Sequence, residues 1–219
     1  MCDGSVIFRR VSKLDVKTLG ATLDKELDRQ TISASTLLST CRVIDEDSRK
    51  SAPYVDHRYI PFYYYLGKHI QPKTMLDFGF RLGLFSSCFF RGCHTVDNFL
   101  AFQHKDEEFY SSRLGTKNVM DHFHKKIHVY VGNVTDDSFL GLLRANTWDL
   151  AVINEEVSYE EHRLLLDLIW PHISLGGLVV MDYIDKHQPA REIFYDFCKV
   201  HKCEPVKVKS RYGVGLIEK

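Results

Sequence analysis

Three groups of residues in this chain have types and spacings suited to chemistry. Asp182 follows the short apolar run Leu178 to Met181, and Asn154-Glu155-Glu156 follows another, Asp149 to Ile153. A carboxylate in such a place can take a proton from a bound hydroxyl, and adjacent carboxylates raise one another's pKa. His187, shortly after Asp182, is a further candidate proton acceptor. The third group is Asp77-x-Gly79-x-x-x-Gly83 with Asp97 downstream. Glycines there let backbone approach a ligand, and an acid accepts hydrogen bonds from ribose hydroxyls. Plainer readings stand beside these: a solvated loop for Glu155-Glu156 and a surface position for His187.

The elements that must position these groups are legible as strand, helix and strand. Thr147 to Ile184 reads as a strand at Asp149 to Ile153, a loop, a helix at Glu160 to His172, a tight Gly176-Gly177 turn, and a strand at Leu178 to Met181. The continuous apolar runs fit strands covered on both faces. Leu165, Leu168 and Ile169 recur at helical spacing, leaving Glu160, Glu161 and Arg163 for solvent. Upstream, Thr74 to Gly79 reads as a strand, Leu84 to Phe90 opens a helix, and His94 to Asp97 reads as the next strand, ending on its acid. Open α/β sheets bind ligands outside the carboxyl ends of their strands, where Asn154-Glu155-Glu156 and Asp182 fall.

A dinucleotide fingerprint starting at Gly79 needs glycines at positions 81 and 84, which hold Arg81 and Leu84, and no Walker A loop is present. The remaining pattern, LDFGFRLG, resembles the first motif of the class I S-adenosylmethionine-dependent methyltransferases. The resemblance covers about residues 58–219 in motif order. VDNF is similar to the second strand with its ribose-binding acid, and IHVYVGNVTDD to the third strand and its adenine-proximal turn. WDLAVINEEVSYEEH through WPHISLGGLVVMDY is similar to the small-molecule O-methyltransferase branch, and RYGVGLIEK to the antiparallel last strand.

The resemblance implies a Rossmann-like α/β fold: a doubly wound, mostly parallel seven-stranded sheet with an antiparallel last strand, occupying 58–219 behind a helical extension at 1–57. It implies S-adenosylmethionine as cofactor, held by Asp77, Gly79, Arg81, Gly83, Asp97, Asn133 and Asn154. Asp182, His187 and Glu155 are then the catalytic candidates, and the acceptor is a small hydroxylated molecule such as a sugar or a phenol.

Four departures bear on activity. Arg81 replaces the middle glycine of the turn, where it either pairs with the cofactor's carboxylate or obstructs its pocket. Asn154, Val157 and Tyr183 stand where metal-dependent relatives carry an aspartate, often a histidine, and a second Asp or Asn. Asp182 with Asn154 is a thin ligand set for Mg²⁺, and no metal is expected. A second function class therefore stands beside the enzyme: a catalytically inactive methyltransferase-fold protein serving as a binding or structural subunit of a larger assembly.

Composition bounds the rest. The chain has 219 residues, enough for one α/β domain with an extension. Its 29 basic and 29 acidic residues cancel, so no global field attracts nucleic acid or an anionic membrane. MCDGSVIFRR lacks the apolar run of a signal peptide, and no stretch is long enough to span a bilayer. Cys2, Cys41, Cys88, Cys93, Cys198 and Cys203 form no CxxC pair and read as reduced thiols of a cytoplasmic protein. His122-x-His124 reads as a solvated pair, and Tyr63-Tyr64-Tyr65 either as an aromatic wall or as cover for the sheet edge.

In the extension, Leu19, Leu23 and Leu27 mark an amphipathic helix weakened by Gly20, Ser33 to Thr40 a second short helix, and Ile44 to Pro53 a charged loop. Pro61 to Ile70 offers a helix ahead of the first strand. Three roles fit the extension: capping the cleft, binding substrate, or contacting a second copy or an assembly partner.

Overall fold

The computed structural model describes residues 14–39, 58–105, 109–120, 122, 123, 125 and 127–219, with backbone alone for 109–114. The Ile44 to Pro53 loop, Cys2, Cys41 and His124 of the sequence reading lie outside the described residues.

The helices are α1 (Val16–Arg29), α2 (Ala34–Leu38), α3 (Tyr59–His69), α4 (Leu84–Gly92), α5 (Phe109–Met120), α6 (Asp137–Arg144), α7 (Tyr159–Ile169) and α8 (Gln188–His201). The strands are β1 (Thr74–Phe78), β2 (Asn98–His104), β3 (Ile127–Gly132), β4 (Trp148–Ile153), β5 (Ile173–Met181), β6 (Val206–Val208) and β7 (Val214–Glu218). They form one sheet in the order β3-β2-β1-β4-β5-β7-β6. The first five strands are parallel, and β7 runs antiparallel between β5 and β6. This is the Rossmann-like methyltransferase architecture that the motifs imply.

Strand alternation splits the interior into two cores. Met75, Phe99, Leu150, Val152, Leu178 and Val180 pack toward α1 to α4. Leu76, Phe78, Phe102, Ile153, Val179 and Met181 pack toward α6 to α8. Asp77, between Leu76 and Phe78, therefore faces the α3–α4 side.

The extension's first helix belongs to the same core. Asp15 caps α1 by accepting from the Thr18 N–H at 3.0 Å. Leu19, Leu23 and Leu27 are fully buried, each contributing about 2 kcal/mol of hydrophobic burial. Gly20 has a positive use: a Cβ there would stand 2.5 Å from Val206 Cγ1, so its absence lets α1 press onto β6. Arg58 then ties α1 to the domain, pairing with Asp24 at 2.8 Å and with Asp28, while donating to the Lys209 carbonyl. The apolar stripe of α1 is thus spent inside the fold.

Three expectations are corrected. His94 to Asp97 is not a strand: β2 begins at Asn98, because the run buried on both faces is Phe99 to Phe102. Gly176-Gly177 is not a turn ahead of the strand but lies within β5. Pairing with β4 jumps from Trp148↔Ile173 to Leu150↔Leu178, and Gly176 takes up the irregularity with φ of 74°. The helix expected at Glu160 to His172 ends as α7 at Ile169 and continues as a 3₁₀ turn, Trp170–His172.

Candidate functional site

At the carboxyl ends of four central strands, the chain sets Gln103, the penultimate residue of β2, in one row with Gly79, Asn154 and Asp182, which follow β1, β4 and β5. The ladder Phe78↔Phe102, Phe78↔Ile153 and Ile153↔Met181 fixes that register. It is extended by Gly79 N–H to the Phe102 carbonyl (3.3 Å), Asn154 N–H to Phe78 (2.9 Å) and Asp182 N–H to Ile153 (2.9 Å). The row faces α3 and α4, as Asp77 does one pleat below it. Tyr59 and Tyr63, four residues apart on one face of α3, reach down to it. Tyr63 Oη donates to Asp182 Oδ2 at 2.8 Å, and Tyr59 Oη lies 3.5 Å from Asn154 Oδ1. Ser86 Oγ of α4 donates to Asp77 Oδ2.

Both carboxyls are almost wholly buried, Asp77 at 2% and Asp182 at 1% exposure. Burial pushes each up to about 6, outweighing the hydrogen bonds that favour the charged form. Burial, with Asp182 adding to it, also holds the Tyr59 and Tyr63 phenols well above their ordinary value. Asp182 has both oxygens engaged, Oδ1 by the Tyr183 N–H at 2.7 Å. Asp77 Oδ1 and Gln103 Nε2 are different: among the described residues they are buried with no hydrogen-bond partner. Leaving such atoms unsatisfied costs about 1–3 kcal/mol each, so their retention beside the glycine turn calls for a reason.

The turn itself is strained and clamped. Gly79 and Gly83 have φ of 85° and 62°, and Arg81 between them is held at 43°, in the left-handed region that non-glycine residues avoid. The Arg81 N–H donates to Gln103 Oε1 at 2.6 Å, while its side chain is exposed. Protein backbone is what approaches the glycines. A Cβ on Gly79 would meet the Asn154 carbonyl at 2.2 Å, and one on Gly83 the Gly115 carbonyl of α5 at 2.7 Å. Asn118 Nδ2 adds a bond to the Leu82 carbonyl at 2.9 Å.

Aromatic rings wall the Asp182 side. Tyr59 meets Phe85 at 5.3 Å and Tyr212 at 5.1 Å between centroids, and Tyr183 stacks on Tyr212 at 5.3 Å. Tyr183 has φ of 61°, strained for a bulky residue, and burial raises its phenol to about 12. A small apolar cavity lined by Leu14, Val16, Leu19, Ile70 and Leu178 lies under α1, at the opposite end of the strands, and has no part in this chemistry.

The structure therefore brings Asp77, Gly79, Arg81, Gly83, Asn154 and Asp182 together, with Glu155 beside them, its Cγ against Gly79. It does not bring Asp97. That residue precedes β2 at the amino edge of the sheet, exposed and paired with Lys125 and with Lys73 at 3.4 Å. These lysines hold its carboxyl below the usual range, Lys125 first. Gln103 occupies the carboxyl end that Asp97 was expected to hold. Asn133 follows β3, two strands from β1, and its N–H is taken by Asp136 Oδ2 at 2.8 Å. His187 heads α8, its ring 6.0 Å from that of His162 on α7, on the other face of the sheet from Asp182. Burial lowers the pKa of His162.

Sequence reasoning missed Gln103, Ser86, Tyr59 and Tyr212. The available signal was the Tyr59/Tyr63 spacing, which sets two phenols on one helix face.

No protein-family model and no curated protein matches this sequence. Solved structures match it in fold. An O-methyltransferase of Bacillus cereus in complex with S-adenosylhomocysteine superposes with a TM-score of 0.65 at 13% identity, over 94% of this chain and 100% of its own. A Podospora anserina methyltransferase bound to S-adenosylhomocysteine gives 0.64 at 9% identity, over 94% and 97%. An O-methyltransferase of Streptomyces achromogenes involved in tomaymycin synthesis, in complex with S-adenosylmethionine, gives 0.63 at 12%, over 94% and 99%.

Proposed function

We propose that this protein is an S-adenosylmethionine-dependent methyltransferase acting on a small hydroxylated molecule. The observation that carries the reading is the pair of unpartnered buried atoms, Asp77 Oδ1 and Gln103 Nε2, flanking the Gly79–Gly83 turn. An acceptor and a donor held in reserve at the carboxyl ends of β1 and β2 suit a ligand with an ammonium and with hydroxyl or carboxylate groups. The Arg81 guanidinium, exposed above the same turn, suits the ligand's carboxylate. S-adenosylmethionine has all these groups, and structures of the same fold hold it or its product. When bound, it supplies an electrophilic methyl group on a sulfonium.

Asp77, Gln103, Arg81 and the turn backbone hold the donor side. On the acceptor side, Asp182 fixes Tyr63 and Tyr183, and these, with Tyr59, Phe85 and Tyr212, exclude water and orient the acceptor. Positioning of this kind supplies much of the rate of a displacement. Burial pushes the Asp182 carboxyl up to about 6, and the acceptor proton passes to it or to the adjacent Glu155. His187, behind the sheet, supports α8. The N-terminal helix α1 serves the fold, and the cytoplasm is the proposed compartment. Among the described residues, no helix is long and apolar enough to cross a membrane.

A second reading has its own observation. The side-chain spaces of Gly79 and Gly83 are filled by the Asn154 and Gly115 carbonyls, so the turn is packed from within, as in a non-catalytic subunit. Calorimetric titration with S-adenosylmethionine and S-adenosylhomocysteine decides. Saturable binding, weakened at least tenfold in Gln103→Leu, is expected. No heat at millimolar ligand and no thermal shift (about 2.7 kcal/mol at 100 times Kd) supports the subunit reading instead.

A further inference from the structure

The stacked pair Tyr183 and Tyr212 is already a cation platform. Their rings lie 5.3 Å apart at 29°, and Lys186 Nζ stands over both, 5.2 Å from one centroid and 5.1 Å from the other. A second cation, the Arg211 guanidinium, lies 5.4 Å from the Tyr212 ring. Two of the chain's own cations thus gather on one pair of rings. Asp182 and Glu156 act on Tyr183 as negative charges, opposed by the positive Arg81, and Glu156 Oε1 accepts from Lys186 Nζ at 2.8 Å.

The rings are held rigidly, whereas the cation on them is not. Tyr183 is fixed by its strained backbone and by Asp182. Tyr212 is fixed by the Asp185 N–H on its carbonyl at 2.7 Å, and the Ile184 N–H bonds the Gly213 carbonyl at 3.2 Å. Gly213, with φ of 70°, makes that turn possible by packing against Asp185. The side chains of Lys186 and Glu156, by contrast, are 48% and 40% exposed. Exposed ion pairs and exposed cation–π contacts each contribute little. A more highly alkylated ammonium, with fewer N–H groups and so less strongly hydrated than the primary ammonium of lysine, sits better on two tyrosine faces and can displace Lys186 onto solvent.

We propose that the Tyr183–Tyr212 pair is a subsite for an ammonium group carried by the acceptor, with Lys186 as the internal cation that leaves when the acceptor binds. The inference rests on the methyltransferase reading in one respect only, the identity of the ligand as acceptor. It specifies the substrate class as a hydroxylated molecule bearing an ammonium group, secondary to quaternary. Glu156, released by Lys186, becomes a counter-ion for that group.

The test uses the full chain and needs no methyl donor. Tyrosine-labelled protein is titrated with tetramethylammonium chloride, and with sodium chloride at equal ionic strength, and ring resonances of Tyr183 and Tyr212 are followed. Saturable shifts confined to these rings are expected with tetramethylammonium alone. Lys186→Met, which keeps the stem and removes the charge, is expected to bind at least fivefold more tightly. Tyr212→Leu is expected to weaken binding at least tenfold, with an unchanged circular dichroism spectrum as the check on folding. Shifts that match those of sodium chloride in both the wild type and Lys186→Met overturn the subsite. So does tetramethylammonium affinity that Lys186→Met leaves unaltered. Because S-adenosylmethionine binding is measured separately, loss of one reading is distinguishable from loss of the other.

Discussion

The Tyr63 hydroxyl donates to Asp182 Oδ2 at 2.8 Å across 119 residues of sequence, joining the helix that precedes the sheet to the end of its fifth strand. Both groups are buried, so neither has water as an alternative partner. Tyr63→Phe removes one phenolic donor from a buried carboxyl that Tyr59 also reaches, at an expected cost of about 1–3 kcal/mol in urea unfolding. The same change raises the Asp182 pKa further, because the lost bond favoured the charged form.

Asp77 and Asp182 make a distinct pH prediction. Their folded values, about 6, exceed the ordinary 3.8. Between roughly pH 4 and 6 the native state therefore binds more protons at these groups than the unfolded chain does, and stability falls as pH rises. Their contribution is full below about pH 4 and lost as pH passes 6, by about 3 kcal/mol per group at most. Asp15, Asp97 and Asp136 have lowered values and act in the opposite sense, so a difference measurement isolates the effect. Asp77→Asn is expected to gain stability relative to wild type between pH 4.5 and pH 7. A parallel pair of pH–stability curves counts against this.

Gly115 shows how tightly α5 holds the turn: a Cβ there would stand 2.4 Å from the Arg81 carbonyl and 3.0 Å from the Gly83 nitrogen. Since the obstruction is backbone, no side-chain rotation relieves it. Gly115→Ala is expected to cost about 1–3 kcal/mol, in the range of overpacking. Hydrogen exchange should show the loss at Arg81 to Gly83 before it reaches β4.

What was legible in the sequence divides along physical lines. Apolar strand runs and glycine turns are local signals, and they gave the sheet order's makings and placed Asp77, Gly79, Gly83, Asn154 and Asp182 correctly at the carboxyl ends. Asp97 misled because the short run His94 to Asp97 ends in an acid, while the true strand begins one residue later and carries Gln103, with no charge to attract notice, near its carboxyl end. His187 lies close to Asp182 in sequence, but the chain turns at the strained Tyr183 and carries it behind the sheet. Nothing local announces that turn, since positive φ at a tyrosine is a tertiary imposition. The partnership of Tyr59 and Tyr63 with β4 and β5 likewise depends on the packing of α3, which spacing alone leaves open.

The C-terminal strand offers a stability test remote from the site. Lys219 Nζ donates to the carbonyls of Trp170, Pro171 and Ile173 at 2.7, 3.3 and 2.9 Å, and lies 5.6 Å from the Trp170 ring. One ammonium thus satisfies the end of the 3₁₀ turn that leads into β5. Lys219→Ala is expected to lower stability by about 1.5–3 kcal/mol, the range for bonds to a charged group. Lys219→Gln, with a shorter and neutral donor, should recover part of it in thermal unfolding.

Arg81 decides between the two functional readings, because its removal should leave the fold intact. Its φ of 43° costs a non-glycine residue about 1–2 kcal/mol, which glycine does not incur. Glycine in turn loses about 0.4–1 kcal/mol through the greater freedom of its unfolded chain. On these backbone terms Arg81→Gly should match or slightly exceed wild-type stability, apart from whatever its guanidinium contributes toward Tyr183, and the N–H bond to Gln103 Oε1 survives because it is made by backbone. With folding preserved, the change in S-adenosylmethionine affinity reports on the guanidinium alone. If Arg81 pairs with the cofactor's carboxylate, Kd in calorimetry rises about tenfold, the expected result for loss of a charge-assisted contact. If affinity instead appears or improves in Arg81→Gly, the guanidinium obstructs the turn in the natural protein, and the non-catalytic reading takes its place.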